Sequence, residues 1–132
     1  METTETKKRT ITLSGRPPVK IVEGDWPEIA VGSRKDWDNQ YEFQANRIWN
    51  DSIRVRQHSD GRAIVYGVSQ HSTQFQNENG YQYKAGKLLA AEDDIPAAIH
   101  GVADQLTDLG APADVMFRLA EECIADLPAE EI

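Results

Sequence analysis

Two alternating runs, Ser52 to His58 and Arg62 to Gln70, meet at Ser59-Asp60-Gly61, and no other feature restricts the fold of this chain as strongly. Asp-Gly between such runs signals a hairpin, because both residues tolerate the positive φ that a tight turn demands. With Asp60 and Gly61 as a two-residue loop, Gln57 pairs with Ile64, Val55 with Tyr66 and Ile53 with Val68 on one face. His58 with Ala63, Arg56 with Val65 and Arg54 with Gly67 fall on the other. The first face is mostly apolar and the second carries two arginines and a histidine, so the pattern predicts one buried and one open face.

Further strands are expected on both sides. Arg9 to Ser14 alternates Ile11 and Leu13 with Thr10 and Thr12; Gly15 and Pro17-Pro18 punctuate it, and Val19, Ile21 and Val22 resume extended character. Asp25 ahead of Trp26-Pro27-Glu28 reads as a short helix start, stopped by Gly32, with Ser33 to Gln40 a polar loop containing Trp37. Tyr41, Phe43 and Ala45 alternate with Glu42, Gln44 and Asn46 as a half-buried strand, followed by a turn at Asn50-Asp51. A second hairpin is expected around Glu78-Asn79-Gly80, with Tyr83 facing Phe75.

Two helices close the chain. Asp93 or Asp94 caps the first, Pro96 takes an early position where its missing N–H costs nothing, and Ile95, Ile99, Val102, Leu106 and Leu109 form a stripe up to Gly110. The second opens at Pro112 or Ala113 and buries Met116, Leu119, Ala120, Cys123 and Leu127, with Phe117 and Ile124 beside them, until Pro128. The short connection favours antiparallel neighbours. The expected fold is α+β: an antiparallel sheet of four to five strands with a C-terminal pair of antiparallel helices packed on one face. A single domain over 1–132 is expected, with 1–8 a flexible tail, 9–90 mainly β and 91–128 the helical pair.

Charge divides along the same boundary. The whole chain carries 14 Lys and Arg against 22 Asp and Glu, for −8. Residues 91–132 hold 11 of those acids and one base, Arg118, whereas the first 90 residues hold 11 acids and 13 bases. Such a bipolar chain disfavours whole-molecule binding to duplex DNA or an anionic membrane, since both attract cations. No apolar run approaches the roughly 20 residues that span a bilayer, and Met1 to Thr10 lacks the apolar core of a signal peptide, so a cytoplasmic protein is expected.

Catalytic and metal chemistry find no motif. The lone Cys123 falls on the apolar stripe, where a small buried hydrophobe is expected. His58, His71 and His100 share no metal-type spacing. His71-Ser72 is a poor base and nucleophile pair, because strand neighbours point to opposite faces. Gly61, Gly80 and Gly110 are accounted for by turns and a helix end, and no phosphate loop occurs. No cofactor and no enzymatic activity are expected.

Two surfaces remain as candidates. Asp104, Asp108, Glu121, Glu122 and Asp126 lie off the apolar stripes and would project as a dense acidic surface, serving either a basic protein partner or plain solubility. Arg54, Arg56, His58 and Arg62, with Trp37 and Trp49, would form a basic sheet face with an aromatic edge, suited to nucleic acid or simply solvating the sheet. Trp26 is expected in a satellite core and Trp37 as an anchor.

Gly15-Arg16-Pro17-Pro18-Val19-Lys20-Ile21, Asp38 to Arg47, Val55 to Tyr66 and Ala120 to Asp126 resemble segments of small accessory proteins of unassigned function carried on proteobacterial plasmids and integrative elements. The resemblance spans most of Thr10 to Leu127 and implies cargo of a mobile element, a setting in which inhibitors of host defence, including anti-CRISPR proteins, are common. It assigns no residue a role. The expectation it yields is a non-enzymatic inhibitor that binds a protein, with a Cas subunit of a CRISPR effector complex as first candidate; the alternative is a nucleic-acid-binding accessory module.

Overall fold

The structure, a computed structural model, describes residues 7–38, 47–75 and 77–129. The strand expected over Tyr41 to Asn46 lies outside the described residues. Strands β3 (Glu28–Asp38), β4 (Arg47–Gln57), β5 (Ala63–Thr73) and β6 (Tyr81–Leu89) form an antiparallel sheet in the order β3-β4-β5-β6. Helices α1 (Ile95–Leu109) and α2 (Ala113–Asp126) pack on one face of it. A two-stranded ribbon of β1 (Lys8–Ile11) and β2 (Val19–Val22) covers part of the other. The expected α+β architecture is present, with the ribbon as an additional layer.

The ribbon explains why the central hairpin departs from its expected register. Gln57 pairs with Ala63, Val55 with Val65 and Ile53 with Gly67, one residue away from the two-residue-loop solution. Ser59-Asp60-Gly61 is instead a three-residue loop: His58 N–H donates to Arg62 O at 2.8 Å, Gly61 N–H donates to His58 O at 2.9 Å, and Gly61 takes φ +98°. A left-handed glycine after a turn is the usual ending of a three-residue hairpin. The shift turns over every side chain of β5. Ala63 and Val65 therefore join the helices, while Ile64 and Tyr66 meet Ile11, Leu13, Ile21 and Trp26 of the ribbon layer. Both faces are buried here, so either set of apolar side chains finds a core.

Other expectations give way for related reasons. The short helix at Asp25 is one 3-10 turn, Glu23–Asp25, and Gly32 sits within β3 rather than ending a helix. Ser33 to Asp38 is strand, and Asn50-Asp51 continues β4 without a turn. Tyr83 pairs with Ser69 instead of facing Phe75. At Gly32 the main chain of α2 lies against the sheet so closely that a Cβ would fall 2.2 Å from Leu119 O. Gly86 serves the ribbon in the same way: a Cβ would fall 2.2 Å from Thr12 O. Ser14 completes that seam, its N–H donating to Gly86 O at 2.9 Å and its hydroxyl donating to Gln105 of α1 at 2.8 Å.

The helices follow their sequence signals closely. Asp94 caps α1 by accepting from Ala97 N–H at 3.2 Å, and Gly110 ends it at φ +129°. Ile99, Val102, Leu106, Met116, Leu119, Ala120 and Cys123 are buried as one core with Ile53, Val55 and Val65. Leu109 and Phe117 stand out of it, 52% and 61% exposed. Burial, then the nearby Asp126 carboxylate, pushes the Cys123 thiol up to about 11. Cys123 should therefore resist a disulfide reagent such as DTNB at neutral pH in the folded chain and react stoichiometrically once urea unfolds it; rapid native labelling would contradict the packing.

Candidate functional site

The acidic surface is built on the outer sides of α1 and α2. Asp104 and Asp108 are exposed and engage no cation among the described residues. Glu121 reaches His100 across the helix pair, Oε2 to Nε2 at 2.9 Å, and Glu122 pairs with Arg118 one turn earlier at 3.5 Å. Asp126 is committed differently: its Oδ2 accepts from Val31 N–H at 2.9 Å, joining the end of α2 to the edge of β3. Four of the five expected docking acids thus share the outer surface, and the fifth also has a structural bond. Sequence reasoning placed Phe117 beside the buried stripe; in the structure it lies on this acidic surface, with its ring centroid 5.9 Å from that of His100. Its offset from the apolar stripe was the available signal.

The six residues of the basic alternative separate into three places. Arg54 pairs with Glu28 at 2.9 Å, and Arg56 donates to Tyr66 Oη at 2.9 Å and to the Trp26 carbonyl at 3.0 Å. His58 meets the Trp26 ring edge-on at 5.1 Å, and Arg62 lies over the same ring, also at 5.1 Å. Asp60 binds both, and the Arg62 N–H, followed by the Arg62 side chain, holds its carboxyl below the ordinary range. Arg56, His58 and Arg62 therefore gather at the buried Trp26 while Arg54 is held on Glu28, and of the four only His58 lines an open cleft of about 690 Å³ formed with Pro27, Ile29, Gln57 and Gly61. Trp49 lies on the helix side of the sheet, stacked on His71 at 4.9 Å. Trp37, 59% exposed, is at the far end of β3.

Beyond the helices, the same sheet side holds a polar network. Asp51 is fully buried, pairing with Arg34 at 3.0 Å and accepting from the Ser69 hydroxyl at 2.6 Å. Next to it run Trp49, His71, Tyr81 and Tyr83, each ring in contact with the next. Arg47 binds Glu78, and that hydrogen bond lowers the Glu78 carboxyl pKa. His71 and Ser72 face opposite sides of β5, as strand geometry requires. Among the described residues, no three His, Cys, Asp or Glu side chains gather closely enough to hold a metal ion, and no helix is long and apolar enough to cross a membrane. Comparison of the chain with protein-family models, curated proteins and solved structures returned no match, so its function must be read from these surfaces.

Proposed function

We propose that this chain is a non-enzymatic binding protein that docks a basic protein partner on the outer face of α1 and α2. The observation that carries this reading is Phe117, 61% exposed on a surface of carboxylates. Asp114, Phe117 and Glu121 fall on one side of α2 by their spacing, and His100 and Asp104 fall on one side of α1. An aromatic anchor within a charged surround is the arrangement that interface hot spots favour, and the charge would steer a cationic partner toward it. The resemblance to mobile-element cargo makes a subunit of a CRISPR effector complex the first partner to try, because such complexes line their nucleic-acid channels with cations. Nucleic-acid binding through Arg54, Arg56, His58 and Arg62 has less support, since partners within the chain already hold these side chains.

Copurification from cells carrying the defence system tests the proposal. The intact chain should recover a Cas subunit in a salt-sensitive manner and reduce interference. Converting Asp104, Asp108, Glu121 and Glu122 to lysine should abolish both effects while changing stability by less than about 1 kcal/mol per site, as expected for exposed positions. Recovery of no Cas subunit with interference intact would reject the CRISPR reading. Capture unaffected by the charge reversal would reject the acidic face.

A further inference from the structure

The ribbon covers only part of the sheet side that faces away from the helices. On the part that no other described residue covers, cross-strand pairing sets Trp37 beside Ile48, and Lys35 beside Asn50. The Lys35 row continues through Gln70 to Gln82, while the neighbouring row ends on Lys84. Directly opposed residues of antiparallel strands project to the same side, so these groups share one surface. Asn50, Gln82, Lys35 and Lys84 are exposed, Gln70 is half-buried, and none of their side chains has a hydrogen-bond or ionic partner among the described residues.

Away from the ribbon end, this surface carries no carboxylate among the described residues. The described alternating residues on this side of β3 to β6 include one acid, Glu28, at the ribbon end, where Arg54 neutralises it. In a chain with 22 acids, the described residues of this region present lysines, amides, hydroxyls, one exposed tryptophan and the exposed Ile48 beside it. The acidic face lies across the sheet and the helical layer. The sheet-to-neighbouring-layer spacing alone is about 10 Å, beyond the Debye length of about 8 Å at physiological ionic strength. Its repulsion of an anion on the uncovered side is therefore largely screened.

We infer that the uncovered sheet surface binds single-stranded RNA. Trp37 supplies a stacking face that any base can use, Lys35 and Lys84 meet phosphates, and the unpartnered amides of Asn50, Gln70 and Gln82 bond base edges and 2′-hydroxyls. With so few cations and so many neutral donors and acceptors, the surface favours the ligand richest in hydroxyls, RNA over DNA. Unstacked bases fit a flat sheet, whereas a duplex hides its base edges. This surface is distinct from the helical face and does not depend on it.

Fluorescence anisotropy of the intact chain with a short labelled single-stranded RNA of mixed sequence tests the inference, with DNA of that sequence and the RNA duplex as comparators. Single-stranded RNA should bind most tightly, and log K should fall against log salt with a slope of about −1.4 for two neutralised phosphates. Trp37→Ala should weaken binding roughly tenfold or more. Joint Lys35→Glu and Lys84→Glu substitution should remove it, while thermal unfolding midpoints show that each variant stays folded. No binding by the intact chain, equal binding of DNA or duplex, or binding unchanged in the variants would overturn the inference.

Discussion

Asp51→Ala should lower the unfolding free energy by about 3 kcal/mol, near the lower end of the roughly 3–5 kcal/mol that follows removal of one partner from a buried ion pair. Asp51 has no exposed surface, while the Arg34 side chain retains 20% exposure and can recover part of its hydration. The Ser69 hydroxyl loses its acceptor in the same event. Asp51→Asn keeps the shape and an acceptor oxygen for Ser69 but loses the charge, so it should cost about half as much. Urea titrations should show the midpoint falling in that order with a constant slope. A loss below about 1 kcal/mol for Asp51→Ala would show that the network contributes little more than an exposed pair.

Gly32→Ala is expected to cost about 2–3 kcal/mol, the upper part of the range for overpacking a well-filled core. The added Cβ would meet Leu119 O at 2.2 Å and Cys123 N at 3.0 Å, both main-chain atoms of a helix, so no rotamer change can relieve the clash. The helix must lift from β3. That movement has a local readout, because Cys123 is next to the contact and fully buried in the native chain. Gly32→Ala should make its thiol reactive toward DTNB below the unfolding transition, and Gly32→Val more so. A stable variant with a protected thiol would mean that the sheet yields instead of the helix.

The parts of the fold visible in the sequence were those with one wet and one dry side. The α1 and α2 stripes, the Asp94 cap and the Gly110 stop are such features, and they occur where expected except that Leu109, at the end of the α1 stripe, is exposed. Ala63 to Val68 is nearly all apolar because the ribbon buries its second face, and that run cannot report which side chains face which layer. Past the helices the reverse holds. Arg34 and Asp36 alternate with Lys35 and Trp37, so neither side is apolar and the strand read as a loop. The acidic surface was legible from its offset to the helical stripes. The ties that hold Arg54 and Arg56 are not, because a helix start over Asp25 to Glu28 places Glu28 and Trp26 elsewhere.

The seam between Ser14 and Gly86 has a consequence for how copies of this chain meet. β6 is an edge strand, and an unguarded edge offers its amides and carbonyls to any passing strand. Gly86 offers neither, since its N–H donates to the Ser14 hydroxyl at 3.2 Å and its carbonyl accepts the Ser14 N–H. Lys84 and Lys87 flank the blocked position with exposed charge. On the opposite edge, Asp126 occupies the Val31 amide. A foreign strand extending this sheet would break its ladder at a plugged rung on either side, a barrier against the open-ended stacking that leads to fibres.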